Sequence, residues 1–240
     1  MLSLKVLCLA SGLFTLCAMT WFYRKRNAKK QLVKPRMKLY WFDNFRSKRC
    51  EWLLAELGVI QDIELISINP KCTNQEILSE YRLIHPHGTV PCLQIDNKQP
   101  IIESGAICQY LAHLYGNLGP ELDAEAYYNW ISYSTSTLDD IMEKLMIQWN
   151  YTDIKEQDTE LINKMVLKFQ SFCKYFSKVM DGRDYICGDR LTAADCVLGY
   201  NIWWAKQIKN GVLLNDFPVI LKYYERLSRR SSFQRVFNND

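Results

Sequence analysis

Residues 84–115, which read IHPHGTVPCLQIDNKQPIIESGAICQYLAHLY, predict two short strands followed by a helix. The pair Val90-Pro91 opens the first of these strands. A proline in this position can turn the backbone N–H and C=O of Val90 away from the sheet. An extended peptide would then pair with Val90 as a neighbouring strand does. The pattern predicts a site that holds a small peptide by its backbone.

A Glu-Ser pair stands just before the helix of the same segment. Helical spacing of apolar residues begins at Ile107, so Glu103 and Ser104 fall at the helix N-terminus. The N–H groups and the dipole there favour a carboxylate ligand, and Glu103 would meet an ammonium group. A γ-glutamyl group carries both charges on one carbon. The alternative is that Pro91 only opens a strand and Ser104 only caps a helix.

After residue 36 nearly the whole chain resembles the glutathione transferase family. Residues 41–54, WFDNFRSKRCEWLL, are similar to W-x-D/E-x-S-R-x-x-R-x-x-W-L-L, the pattern of a microbial class that includes fungal membrane-associated transferases. The resemblance implies glutathione as co-substrate, a homodimer, and an enzyme that activates the glutathione thiol for attack on a small apolar electrophile or a peroxide. It implies a glutathione site formed by Thr89, Val90, Pro91, Glu103 and Ser104.

The loop that the resemblance identifies as catalytic departs from the class pattern at Phe45, where a serine is usual. A hydroxyl there favours the glutathione thiolate, and lowering a thiol pKa by about two units takes roughly 2.7 kcal/mol. Ser47 is the nearest hydroxyl and our first catalytic candidate, followed by Arg46 or a backbone amide, with Asn44 as a further polar group. Ser47 as an ordinary first-turn residue is the alternative. Catalysis is expected to be weakened by Phe45.

The resemblance also implies an electrophile pocket between two domains, with Phe45 on one side. Tyr127 and Trp130, with Tyr133 or Thr137, are the candidates on the opposing helix, because aromatic walls suit a flat apolar acceptor. The alternative is that these aromatic residues pack in the core. Two other functions stay open: a glutathione-binding protein without conjugating activity, and a non-catalytic scaffold of this fold at a membrane.

The N-terminal residues 6–23, VLCLASGLFTLCAMTWFY, are uncharged and close to the length that spans a bilayer. Only Lys5 precedes this apolar run, whereas a cluster of Arg and Lys follows it, unlike the charge order of a cleaved signal peptide. The positive-inside rule keeps the following residues in the cytoplasm. We therefore predict a single-pass membrane anchor at residues 1–23 and a basic linker at 24–36, with a secretory signal or a partly buried helix as alternatives.

Charge and cysteine content narrow the function classes. The formal charge is +4, but five positive charges lie in residues 24–30, beside the apolar run, and the remainder is close to neutral. These charges suit anionic lipid headgroups and topology better than nucleic acid. The nine cysteines show no C-x-x-C spacing, and the odd number argues against a disulfide framework. We predict no metal site and no nucleic-acid partner.

The remaining pattern predicts an α/β thioredoxin-like domain at residues 37–116 and an all-α domain at 123–240. The first domain contains predicted strands at 38–42, 63–68, 91–95 and 100–103, with a helix at 47–57. The second contains long amphipathic helices at 124–146 and 158–180. Thr192 and Asp195 have the spacing of a capping box at the start of a further helix.

Overall fold

The computed structural model describes residues 35–70, 75–96, 98–120 and 123–238. The predicted membrane anchor at residues 1–23 lies outside these ranges, as does the predicted basic linker apart from Pro35 and Arg36. Within the described ranges no helix combines the length and the apolar character needed to cross a bilayer.

The first domain contains a four-stranded mixed sheet. The strands are β1 Met37–Trp41, β2 Glu64–Ser67, β3 Cys92–Ile95 and β4 Ile101–Ile102. They lie in the order β2-β1-β3-β4, with β1 parallel to β2 and antiparallel to β3, which in turn is antiparallel to β4. The helices are α1 Ser47–Glu56, α2 Gln75–Arg82 and α3 Ser104–Tyr115. The predicted thioredoxin-like domain is confirmed.

Three predicted strands are one or two residues too long and the first is shifted by one residue, and local geometry explains where the observed strands begin or end. Phe42 leaves β1 because its N–H donates to Ser47 Oγ at 3.2 Å and its carbonyl accepts from the same hydroxyl at 2.6 Å. Pro91 has no N–H to add to β3. Glu103 has a φ of +77°, which is incompatible with strand β4.

The second domain is built on six α-helices, with no β-strand, in the part of the chain that the structure describes. They are α4 Ala124–Tyr133, α5 Asp139–Met146, α6 Thr159–Val179, α7 Ala193–Gln207, α8 Pro218–Ser228 and α9 Ser231–Phe237. A π-helical turn, Ser134–Leu138, joins α4 to α5, so the predicted helix at 124–146 is continuous but locally widened. The capping box of α7 is confirmed: Asp195 accepts from the Thr192 N–H at 2.8 Å.

Helix α1 packs tightly against the all-α domain, and this contact fixes the loop that precedes it. A Cβ on Gly199 of α7 would lie 2.8 Å from the Trp52 ring, so only glycine permits this approach. Trp52 is fully buried, and its ring meets Phe233 edge to face at 5.0 Å. Arg230 binds the Glu56 carboxylate at 2.7 and 2.8 Å. The loop between β1 and α1 therefore leads into a helix that the all-α domain holds in place.

Candidate active site

A cavity of about 210 Å³ opens between the two domains, and we call it the Val90 cavity. It contains all five residues predicted for peptide binding and one of the two catalytic candidates, Arg46. Ser47 is absent from its lining. The lining residues are Arg46, His85, Thr89, Val90, Pro91, Glu103, Ser104, Thr135 and Asp139.

The sheet side of the Val90 cavity is a stretch of open backbone. The Val90-Pro91 peptide is cis. Tyr81 donates its hydroxyl to the Thr89 carbonyl at 2.7 Å, which fixes the residue before Val90. Among the described residues, no backbone hydrogen bond outside the helices and strands involves Val90. Its N–H and C=O are therefore placed to pair with an extended ligand.

The N-terminus of α3 forms the adjacent wall. Strands β3 and β4 pair Cys92 with Ile102, and continuing this antiparallel register brings Glu103 beside Pro91. The Glu103 backbone lies in the left-handed half of conformational space, which non-glycine residues enter mainly where the surroundings impose it. Ser104 is the first residue of the helix, so free N–H groups and the positive end of the helix dipole face this part of the cavity.

Gly105 explains how this helix start comes so close to the all-α domain. A Cβ at this position would lie 3.0 Å from the Ile131 side chain and 3.1 Å from that of Thr135. Larger residues would push α3 away from α4. Glycine at this position therefore permits the close approach of the α3 start, next to Ser104, to the all-α domain.

A buried arginine that the sequence prediction did not assign to the site supports Ser104 from behind. Arg49 is fully buried, and all five of its N–H donors have an acceptor. One Nη1 bond goes to Ser104 Oγ at 3.1 Å, and two bonds to Asp139 measure 2.9 and 2.6 Å. The remaining donors reach Asn201 Oδ1 at 2.8 Å and the Val197 carbonyl at 3.2 Å. Because Arg49 donates to Ser104, the Ser104 hydroxyl hydrogen remains available to a ligand.

The charge of Arg49 is balanced by Asp139 at the start of α5. Burial alone would raise the pKa of the Asp139 carboxyl, but the charge and hydrogen bonds of Arg49 outweigh it and lower that pKa below its usual value. Asn201 adds a hydrogen bond to the same carboxylate at 2.8 Å. One feature of the sequence indicates that Arg49 has a partner. Arg49 lies on the apolar face of α1, where burying an unpaired charge would be costly.

Arg46 lies at the border between the Val90 cavity and the all-α domain. Its Nε donates to Asp139 at 2.8 Å and its Nη2 to Glu143 at 3.1 Å. The guanidinium also lies over the Trp204 ring, 5.4 Å from the ring centre. These contacts hold a permanent positive charge beside the cavity.

Ser47, the first catalytic candidate, has the geometry of an ordinary first-turn residue, which is the alternative to a catalytic role. The side chain is fully buried, and its hydroxyl both donates to and accepts from the Phe42 backbone. Ser47 therefore closes the loop between β1 and α1 and does not face the Val90 cavity. Asn44 occupies the left-handed region with a φ of +59° and is exposed. Phe45 packs edge to face on Phe42, with the ring centres 5.6 Å apart.

The structure does not bring the predicted aromatic residues of the all-α domain to Phe45. Tyr127 and Trp130 are each 1% exposed. Trp130 stacks on Tyr175 at 5.4 Å and contacts Phe176, both on α6. The aromatic spacing on α4 therefore marks the face that packs inside the domain. The other two candidates do not replace them: Tyr133 packs half-buried on Trp130, and Thr137 is exposed.

Cys50 is also excluded from the site by its surroundings. Its Sγ is fully buried, 4.0 Å from the Cys108 Sγ and 3.8 Å from the Ser104 carbonyl oxygen. Burial raises the pKa of the Cys50 thiol well above its ordinary value. A thiol in this state is a packing group and a poor nucleophile.

The chain belongs to the class of two-domain proteins in which a thioredoxin-like domain precedes an all-α domain and an open backbone edge faces the space between them. Comparison with known proteins identifies the family within this class. Residues 44–121 match the family model described as "Glutathione S-transferase, N-terminal domain", and residues 139–238 match "Glutathione S-transferase, C-terminal domain". The two matches together extend over most of both domains.

Individual relatives agree with these matches. The chain is 26% identical over 205 residues to glutathione S-transferase GstA of Escherichia coli O157:H7, covering 82% of this chain and 96% of that protein. It is 30% identical over 177 residues to a glutathione S-transferase of Dirofilaria immitis, covering 73% and 78%. A solved structure of a glutathione transferase family member from Pseudomonas fluorescens has the same fold, with a TM-score of 0.75 at 19% identity, covering 88% of this chain and 96% of that one. The chain belongs to the glutathione transferase family.

Proposed function

We propose that this protein is a glutathione transferase that binds glutathione in the Val90 cavity. The observation that carries the proposal is the combination, in one cavity, of an open Val90 backbone, the Glu103 carboxylate and the Ser104 helix start. These groups complement the cysteinyl backbone, the ammonium and the γ-glutamyl carboxylate of one tripeptide. Family membership supports the same ligand.

The strand register supports one direction for the bound peptide. Glu103 lies beside Pro91, so the γ-glutamyl end is expected at Pro91 and the glycine end at Thr89. The peptide then runs antiparallel to residues 89–91, as an added strand does. This direction leaves the cysteinyl sulfur free to face the loop between β1 and α1.

We propose that Arg46 and the helix-start amides of α1 favour the thiolate in place of a hydroxyl. A cation close to a thiol and a helix N-terminus both lower a thiol pKa. Ser47 fits this role less well because its hydroxyl is already bound to Phe42. The thiolate sulfur would attack an electrophilic carbon of a small apolar compound and form a C–S bond. The displaced electron pair leaves with the halide of an aryl halide, or moves onto the carbonyl oxygen of an enone, which then takes up a proton. The alternative target is a hydroperoxide oxygen: the O–O bond breaks, the alcohol leaves, and a second glutathione converts the resulting sulfenic acid into glutathione disulfide and water.

One observation favours a second candidate, a glutathione-binding protein with little conjugating activity. Phe45 brings no hydrogen-bond donor in its side chain, and the nearest hydroxyl, Ser47, is committed to the backbone. The thiol would then stay largely protonated at neutral pH. This candidate keeps the binding site and loses only the activation.

Turnover with a panel of aryl halides, enones and hydroperoxides separates the two candidates. A transferase gives glutathione-dependent turnover that rises in Phe45→Ser, because the added hydroxyl can bond to the sulfur. A binder without activation binds glutathione but gives no turnover above the solution reaction in wild type. Phe45→Leu is the matched control, since it changes the size of the side chain without adding a donor.

Membrane anchoring is a further proposal, which rests on the apolar residues 6–23 and the basic cluster after them. We propose one span with the globular domains on the cytoplasmic side. The full chain is then expected in the alkali-resistant membrane fraction, while a chain that begins at Met37 stays in the supernatant. Equal partition of both chains would contradict the anchor. We also propose, from the resemblance in sequence, that the chain is most similar to the microbial class that includes fungal membrane-associated transferases, and that it forms a homodimer. Light scattering tests the dimer.

A further inference from the structure

His85 is buried at the Thr89 end of the Val90 cavity, and its hydrogen bonds fix which ring nitrogen carries the proton. The backbone N–H of His87 donates to His85 Nδ1 at 3.2 Å. An N–H group is only a donor, so Nδ1 must be the unprotonated nitrogen of the neutral ring. The proton therefore resides on Nε2.

The position of the proton on the His85 ring also decides which atom donates in the hydrogen bond between His85 and Thr89. His85 Nε2 lies 3.2 Å from Thr89 Oγ1, and with the proton on Nε2 the ring is the donor and the hydroxyl the acceptor. The Thr89 hydroxyl hydrogen is then free to point into the Val90 cavity, which Thr89 and His85 both line. Burial, followed by the proximity of His87, lowers the pKa of the His85 imidazole, which keeps the ring neutral near pH 7.

The backbone around this pair is fixed by further bonds. The His85 N–H donates to the Tyr81 carbonyl at 2.9 Å, and the Gly88 N–H donates to the His85 carbonyl at 2.9 Å. Tyr81 Oη in turn holds the Thr89 carbonyl. The Thr89 hydroxyl is therefore held in position on the backbone side by Tyr81 and on the side-chain side by His85.

Positive charge is scarce at this end of the cavity. Among the described lining residues Arg46 is the one with a permanent cation, and it is paired with Asp139 and Glu143. Arg82 lies behind the loop, where its side chain would be 3.4 Å from a Cβ at Gly88, and it does not line the cavity. A carboxylate that reaches Thr89 meets a neutral donor there.

We propose that the Thr89 hydroxyl, oriented by His85, is the specificity-determining contact for the glycine carboxylate of bound glutathione. His85 acts as a positioning residue, because its Nε2–H is donated to Thr89 Oγ1 and so orients the Thr89 hydroxyl. The inference rests on the proposed function, since it takes glutathione as the ligand. It implies that the protein also accepts a thiol peptide that lacks the terminal glycine, with an affinity only about tenfold weaker, as expected for one hydrogen bond to a charged group.

Calorimetric titration of the full chain with glutathione and with γ-glutamylcysteine tests the proposal. Thr89→Val is expected to weaken glutathione binding about tenfold and to leave γ-glutamylcysteine binding unchanged, while Thr89→Ser keeps both. His85→Leu is expected to weaken glutathione binding about fivefold, and His85→Gln, whose amide can donate from the Nε2 position, restores it. His87→Ala is the matched control because it retains the backbone N–H that sets the His85 proton.

The two ligands separate failure of the inference from failure of the proposed function. Binding of neither ligand to wild type overturns the proposed function. Binding of both, with Thr89→Val weakening them equally or not at all, overturns the inference alone, as does selective loss of glutathione binding in Arg82→Met. The ¹⁵N spectrum of the histidine side chains adds a direct readout. His85 is expected as the Nε2–H tautomer, and an Nδ1–H tautomer would contradict the hydrogen bond that His85 donates to Thr89.

Discussion

Arg49 Nη2 lies 2.6 Å from Asp139 Oδ1, and this ion pair joins the first helix of the thioredoxin-like domain to helix α5 of the all-α domain. Arg49 is fully buried and Asp139 nearly so. The same guanidinium holds Ser104 at the wall of the Val90 cavity. Packing between the domains and the geometry of the proposed glutathione site therefore depend on one pair.

Removing the carboxylate of this pair is expected to destabilise the protein strongly. Asp139→Asn leaves the Arg49 charge buried without its counter-ion, and breaking such pairs costs about 3–5 kcal/mol of unfolding free energy. Urea unfolding measures the loss. Asp140→Asn is the matched control, because Asp140 forms an exposed pair with Lys144 and such pairs contribute about 0.5 kcal/mol or less. Equal small losses in both variants would contradict a structural role for the Arg49 pair.

The same carboxylate predicts a pH dependence. The Asp139 pKa is lowered in the folded state, so folding favours the ionised form. Its stabilising contribution is complete above the unfolded-state pKa, about 3.9, and is lost as the pH falls through the lower folded-state value. The stability difference between wild type and Asp139→Asn should stay constant from about pH 7 to about pH 5 and shrink below about pH 4. A difference that shrinks near neutral pH would assign the effect to another group.

Ser47→Ala is expected to reduce stability more than chemistry. The substitution leaves the N–H and C=O of Phe42 without their hydroxyl partner, at a cost of about 1–3 kcal/mol. The pH profile of kcat/KM should keep its thiol pKa, because Ser47 does not face the Val90 cavity. A thiol pKa raised in the variant, with unchanged unfolding free energy, would restore Ser47 to a catalytic role.

Arg46 and Glu143 are expected to shift the thiol pKa in opposite directions. Arg46→Gln removes the cation beside the cavity and should raise the pKa of bound glutathione by about one unit, or about 1.4 kcal/mol. The value of kcat/KM below that pKa then falls about tenfold. Glu143→Gln removes a carboxylate that neutralises Arg46 and should lower the same pKa. The absorbance of the bound thiolate against pH measures both variants, and shifts of the same sign would contradict the proposed role of Arg46.

The parts of the fold that local sequence determines were predictable. The capping box needs only Thr192 and Asp195, which are three residues apart, and the open edge needs only Val90 and its proline. Strand ends were less accurate because they depend on contacts outside the strand. Phe42 leaves β1 through a side chain five residues away, and Glu103 leaves β4 through its backbone angle.

Contacts between distant residues explain what the sequence prediction missed. Arg49 meets Asp139 and Asn201 across 90 and 152 residues, and the pattern of α1 shows a charge on an apolar face without showing its partners. The aromatic residues of α4 illustrate the opposite error. Their spacing identifies a buried face of α4. A face that packs on α6 and a face that lines a cleft have the same periodicity, so the pattern alone does not distinguish them. Tyr127 and Trp130 were expected at the cleft beside Phe45, whereas the structure buries both and stacks Trp130 on α6.

Titration of glutathione into the full chain, compared with Glu103→Gln, tests the central claim most directly. The exposed Glu103 side chain can be changed with little effect on the fold, while its carboxylate is the proposed partner of the ligand ammonium. We predict saturable binding of one glutathione per chain, weakened about tenfold or more in Glu103→Gln, as for a lost hydrogen bond between charged groups. Absence of binding to wild type, or equal affinity in both proteins, would contradict glutathione binding in the Val90 cavity.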